Sequence, residues 1–202
     1  MTTKKQLVEE FRMREIREAA SRVVCNQGVV GATMEAIASE AGIAKGTIYI
    51  YFRNREDLLE QAADHALGEL MAELGRYFCA KETFESQLPR FVRSALHFFD
   101  ENRQFFQLYQ AASQGISKGG ARRTRRYDEY FTRLTSWVTR AMNAGEVRPL
   151  DPERVSLFFT EALTAVIRQR LVQDQPPPVD DDTEWLTTLF LSGALMATRE
   201  RR

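Results

Sequence analysis

Apolar residues recur at helical spacing along almost the whole chain, and that pattern decides the fold class. Tyr127, Tyr130, Phe131, Leu134, Trp137, Val138 and Ala141 fall on one stripe; Leu88, Phe91, Val92, Ala95 and Phe99 make a second. Val155, Phe158, Phe159, Ala162, Leu163 and Val166 make a third, Ile16, Ala19, Ala20 and Val23 repeat it near the start, and Trp185 and Leu189 anchor a last one. Proline breaks fall at 149–152 and 176–178, with Pro89 alone near a helix start. The chain therefore reads as all-α, with about nine helices, and 44% hydrophobic content over 202 residues is enough for an ordinary core.

Capping residues support these divisions. Thr33 precedes an amphipathic turn, MEAIASEA, that stops at Gly42. Asn54 to Asp57 resembles a capping box and opens a helix expected to run to about Cys79. Asp151 or Pro152 opens the next-to-last helix, and the acidic residues from Asp180 suit the start of the last.

Net charge is zero, but it is unevenly placed. Residues 1–55 hold nine Lys/Arg against six Asp/Glu, a net of +3, and residues 56–202 hold nineteen against twenty-two, a net of −3. A basic end on an acidic body points to an anionic partner at that end alone. Cys25 and Cys79 sit inside apolar helical patterns without metal-ligand spacing and read as small core residues. The polar opening MTTKKQLVEE is no signal peptide, and no apolar run approaches the ~18 residues of a membrane span, so the expected location is cytoplasmic, with no membrane partner.

The segment TIYIYF, Thr47 to Phe52, alternates like a strand, yet its neighbours demand a helix. A helix-turn-helix needs a small residue where the second helix crosses the first, met by Ala38. Four positions on, the turn needs a residue at ease with positive φ, met by Gly42. Ten positions after the alanine, an apolar residue must seal the second helix, met by Ile48. Wound as a helix, residues 44–53 put Ile48 and Phe52 on the inner face and Lys45, Tyr49 and Arg53 on another, flanked by Thr47 and Tyr51. Two tyrosines beside cations then make sense, since hydroxyls bond phosphates while rings pack on sugars.

The stretch TMEAIASEAGIAKGTIYIYFRNREDLL, Thr33 to Leu59, resembles the DNA-binding signature of tetracycline-repressor-type (TetR/AcrR) transcriptional regulators, and REIREAASRVVCNQG, Arg14 to Gly28, resembles that family's first helix. The resemblance implies a three-helix DNA-binding domain at 1–55 and a larger helical ligand-binding and dimerisation domain at 56–202. It also implies repression of a palindromic operator by a homodimer, relieved by a small molecule. Carried over by position, Thr33 caps the second helix and touches phosphate, and Lys45, Gly46 and Thr47 present the recognition helix to the groove. Tyr49 and Tyr51 contact backbone or base edges, and Arg55 pairs with phosphate. Two positions depart from the family: Ala44 lacks the usual hydroxyl, and Ile50 replaces a commonly polar residue. Ordinary solvated charge competes as a reading of Lys45 and Arg55, and half-buried packing competes for Tyr51. Lys4 and Lys5 read either as a disordered, solvated terminus or as a minor-groove arm.

The body is rich in aromatics. Phe91, Phe98, Phe106, Tyr109, Tyr130, Trp137 and Phe159 are candidates to line a ligand cavity, with His97 and Glu161 as polar anchors; plain core packing is the competing reading for each. The effector expected is small and largely apolar or aromatic. Arg122, Arg123, Arg125 and Arg126 form either a solvated helix start or a phosphate site, for example for the nucleotide end of an acyl-CoA. Phe158, Ala162 and Ala165 with Phe190, Gly193, Ala194 and Ala197 suggest a two-fold interface of four helices. No nucleophile–base pair, phosphate loop or metal set stands out, so no enzyme activity, cofactor or metal is expected. A helical small-molecule carrier or interaction protein is the alternative that the body alone would permit. The basic recognition segment argues against it.

Overall fold

The computed structural model describes residues 4–78, 82–114 and 125–194, and within them all regular structure is helical. In chain order the helices are α1 (Lys4–Gly31), α2 (Met34–Glu40), α3 (Lys45–Tyr51), α4 (Arg55–Leu74), α5 (Phe84–Glu101), α6 (Arg103–Gln114), α7 (Arg125–Asn143), α8 (Pro152–Val172) and α9 (Val179–Ala194). A 3-10 turn at Gly75–Phe78 ends α4, short of the expected Cys79, and buries Tyr77 and Phe78. Cys79, Arg122, Arg123 and Ala197 lie outside the described residues, as does the side chain of Ala194. No described helix is long and apolar enough to cross a membrane.

The chain forms two compact units, 1–69 with 102–128 and 70–101 with 129–202. The sequence reading drew one cut after residue 55. By contact the units are discontinuous in sequence, because α6 packs along α1.

In the first unit, α1 begins well before the expected Arg14, and Lys4 and Lys5 belong to its first turn, not to an extended arm. Its buried face is Ile16, Ala19, Ala20, Val23 and Val24, whose small alanines let α2 and α6 approach. Gln107 on α6 donates to the Cys25 carbonyl at 3.3 Å, and Cys25 is a half-buried free thiol. Near the end of α1 the backbone leaves helical geometry at Gly28, φ 73° and ψ 167°, a region open essentially to glycine alone.

In the second unit, α5 packs on α8 and α9. Its core is ring against ring: Phe91 lies 5.3 Å from Trp137 and 5.9 Å from Phe159, and Phe84 lies 4.5 Å from Trp137. The Trp137 Nε1–H donates to the Oε1 of fully buried Gln87 at 2.9 Å, which satisfies both polar groups inside an apolar core. Arg170, 4% exposed, ties the end of α5 to the start of α9. It donates to Asp100 Oδ2 at 2.6 Å, to the Pro177 carbonyl at 2.8 Å and to Asp182. Burial alone would lower the Arg170 pKa, but the bonds to Asp100 and Asp182 outweigh it and raise the pKa.

Candidate nucleic-acid interface

The first unit is organised around α2, a tight turn and α3. Thr33 caps α2, its hydroxyl accepting from the Ala36 amide at 3.1 Å. At the other end of α2 the Gly42 amide bonds the Ser39 carbonyl and the Ile43 amide bonds the Ala38 carbonyl, a Schellman turn that requires the positive φ of Gly42, 66°. The chain thus re-aims within three residues, and Ile48 and Phe52 seal α3 onto a floor that includes Ile37 and Ala38. Thr47 to Tyr51 is helical, with Phe52 its extended C-cap, because Ile48 and Phe52, four apart, are the residues this floor can bury.

The residues expected to meet DNA stand on α3 at differing exposure. Gly46 and Tyr49 are exposed, Thr47 and Tyr51 half-exposed. Ala44 makes no side-chain cap, so the first amides of α3 have no hydroxyl to receive them. Lys45 is exposed and its ammonium is ion-paired with Glu35 in the first turn of α2. Their hydrogen bond is the main reason that the Glu35 carboxyl is held below the ordinary range and the Lys45 ammonium above it. Any phosphate approaching Lys45 competes with that carboxylate.

Arg55 does a job the sequence did not announce. Its Nε donates to the Ala32 carbonyl at 2.8 Å and its Nη2 to the Val29 carbonyl, so the guanidinium braces the link between α1 and α2 against the start of α4. The contact to Glu56 is 3.6 Å. Only part of this guanidinium is left to face a phosphate. The neighbouring cap is built from Asn54, whose Oδ1 accepts from the Asp57 amide at 2.8 Å, and from Asp57, which accepts from the Arg53 amide at 2.9 Å. The Arg53 guanidinium bonded to Asp57 is the leading reason that this carboxyl sits below its usual range.

The expected ligand residues are not one set. Phe106 and Tyr109 are buried in the first unit, Tyr109 with its ring 5.9 Å from Tyr127, whereas Phe91, Phe98, Tyr130, Trp137 and Phe159 belong to the second. His97 and Glu161 are exposed, so neither is a polar anchor inside a core; both sit on the outer faces of their helices. Of the expected dimer residues, Phe158 is 64% exposed, Ala165 and Gly193 are exposed, Ala162 is half-buried and Phe190 is buried among Phe84 and Phe159. Trp185 and Leu189, also exposed, extend that apolar surface along α9.

Residues 16–62 match the model of the family described as bacterial regulatory proteins, tetR family. This span holds the core face of α1, all of α2 and α3, and the start of α4. Over that span the chain is similar to TetR-type regulators. An HTH-type transcriptional regulator of Haemophilus influenzae is 34% identical to it over 88 residues, and that alignment spans 44% of this chain and less than half, 47%, of that protein. The HTH-type regulator YhgD of Bacillus subtilis strain 168 is 27% identical over 179 residues, covering 85% of this chain and 90% of the relative. Among solved structures, the transcriptional regulator FadR from Bacillus subtilis in complex with stearoyl-CoA superposes with a TM-score of 0.74 at 20% identity, covering 89% of this chain and 98% of that one. At that identity the likeness speaks for the fold.

Proposed function

We propose that this protein is a dimeric TetR-type repressor that binds a two-fold operator and leaves it when a small apolar effector binds. One observation carries the reading: α3 stands on a helix-turn-helix floor fixed by Ala38, Gly42 and Ile48, with its tyrosines and Lys45 turned outward. Transcription regulation through DNA is what that surface and the matched family support, and such a role fits a cytoplasmic location beside the chromosome.

The second unit supports the two finer parts. On α8 and α9, exposed Phe158 and Leu189 border a groove of about 540 Å³ lined also by Leu150, Val155 and Gly193, with Asp151 and Arg154 at its edge, and exposed Trp185 lies on the same helix as Leu189. An apolar surface of this kind suits a second copy of the chain, and two-fold pairing sets the half-sites about one helical turn apart or somewhat more. The aromatic core around Phe91, Trp137 and Phe159, with the Gln87 amide inside it, suits an effector that is mostly hydrocarbon or aromatic. Fatty acyl-CoA thioesters lead the candidates, because the solved FadR, similar in fold, holds stearoyl-CoA. The effector acts if it favours the DNA-incompetent state by about 1–3 kcal/mol or more.

The test is selection from a pool of random duplexes at low salt, followed by release assays with a panel of acyl-CoA chain lengths and aromatic acids. Enrichment of a palindrome with release by one class supports the whole reading. Enrichment of a non-repeating site refutes the two-fold mode, and tight binding indifferent to every acyl-CoA at high micromolar concentration removes that effector class.

A further inference from the structure

The outermost edge of α3 is carbon. Ile48 points into the core, and on a helix of 3.6 residues per turn the positions opposite it are 46 and 50. Gly46 has no side chain, and nothing lies within 4 Å of where a Cβ would stand. Ile50, one turn later, is 76% exposed. The polar groups are on the flanks, with Lys45 and Tyr49 on one side and Thr47 and Tyr51 on the other. A groove of about 610 Å³ beside Ile50 is lined by Lys4, Lys5, Val8, Glu9 and Tyr51.

An isoleucine at that exposure adds nothing to the unit's own core, and it offers no hydrogen bond to a base edge. In the major groove one feature answers to such a side chain, the 5-methyl group of thymine. We propose that Ile50 is a specificity-determining residue and reads a thymine methyl in each half-site. The inference rests on the operator reading above. Gly46 lets the crest of the helix approach the base pairs, so that the side chain one turn on reaches the pyrimidine edge. The amines of Lys4 and Lys5 on the rim of the adjoining groove supply the charge that a phosphate strand running past that edge requires. The methyl contact creates a preference for thymine over cytosine that the flanking tyrosines, whose hydroxyls can both donate and accept, do not create.

The experiment uses the full-length protein and the duplex enriched from the random pool, with each thymine of the half-site replaced in turn by deoxyuridine, symmetrically in both halves. One position should lose affinity by about fourfold per half-site, about fifteenfold in the doubly substituted duplex, as expected for removing one buried carbon. Ile50→Ala should bind the thymine and deoxyuridine duplexes equally, while Tyr49→Phe should keep the full methyl dependence. Circular dichroism checks that both variants remain folded. An enriched duplex indifferent to every thymine methyl overturns the inference and leaves the operator reading standing, as does an Ile50→Ala variant that still loses the same affinity with deoxyuridine. A pool with no enriched sequence overturns both.

Discussion

The Nε of Arg55 lies 2.8 Å from the carbonyl oxygen of Ala32, so the first residue of α4 holds the last turn before α2 in place. The same guanidinium also takes the Val29 carbonyl, next to the backbone break at Gly28. Position in the motif suggested a phosphate contact; the geometry makes this arginine first a brace.

Arg55→Ala therefore weakens folding before it weakens DNA binding. It leaves two carbonyls of the α1–α2 link without their donor, at a cost of about 1–3 kcal/mol, and Arg55→Lys recovers little because a lysine cannot fork between them. Chemical denaturation measures the loss. The salt slope of operator binding should stay within error of the parent's; a slope flattened by about 2 would show that the rest of the guanidinium also neutralises a phosphate in each half-site, and an unchanged stability would falsify the brace.

Lys45 and Glu35 give the opposite signature. Lys45→Gln should flatten the dependence of log K on log salt by about 2 for a dimer, one phosphate per half-site, with no change in thermal midpoint. Glu35→Gln, which frees the Lys45 ammonium and removes a negative charge beside the DNA, should tighten binding at low salt. Weaker binding by Glu35→Gln at every salt concentration would mean that Glu35 positions the lysine and does not compete for it.

Gly28→Ala places a Cβ on a backbone at φ 73° and ψ 167°, where space is open but the conformation is not. A loss of about 1–3 kcal/mol is expected, read by denaturant midpoint at unchanged m-value. At the neighbouring Gly31 a new Cβ would stand 2.9 Å from the Cβ of Gln27, which its own backbone fixes, so Gly31→Ala should also destabilise, by forcing the helix turn to shift.

Arg170 separates burial from pairing. Arg170→Ala strands Asp100 and Asp182 together and should cost about 3–5 kcal/mol, whereas Arg170→Met with Asp100→Asn and Asp182→Asn should recover much of that. Equal losses in the single and triple variants would show that packing of the arginine stem, not its charge, is what matters.

His65 on α4 sets a pH dependence. Burial is the main reason that its pKa falls below the ordinary ~6.5, with Arg17 and Arg14 pushing the same way and Glu69 and Glu18 opposing. Arg22 lines the same polar cavity. The folded state thus resists a proton that the unfolded chain accepts, so stability is full above the unfolded pKa and declines as pH falls from about 6.5 toward the lower folded value. His65→Gln should flatten that decline in a series of denaturation curves between pH 7.5 and 5. An unchanged decline assigns it to other groups.

Local rules were the legible ones. Ala38, Gly42 and Ile48 meet a spacing that the turn itself imposes, so α2 and α3 could be placed without a structure, as could the caps at Thr33, Asn54 and Asp151. The stripe through Trp137 named its core, but not that Gln87, fifty positions away, would meet its indole nitrogen. His97 and Glu161 were misread because a polar residue beside an apolar stripe faces inward or outward according to a rotation of less than half a turn. The first turns of α1 were missed since Leu7, Val8 and Phe11 are exposed there, and an exposed stripe carries no promise of a partner. Arg55 could not be assigned because its acceptors are backbone carbonyls, which leave no mark in a sequence.

The pairing of α1 with α6 has a consequence for how this protein is made. The ribosome releases α1, α2 and α3 first, but α6 begins only at Arg103. At ~5–20 residues per second the apolar flank of α1 waits roughly 4–15 s for its cover. Throughout that interval the nascent chain offers an open hydrophobic face to chaperones and to its neighbours on the same message. The DNA-reading end of this molecule is therefore not a detachable head: a fusion or truncation that stops after α4 keeps the motif and discards part of what it folds against.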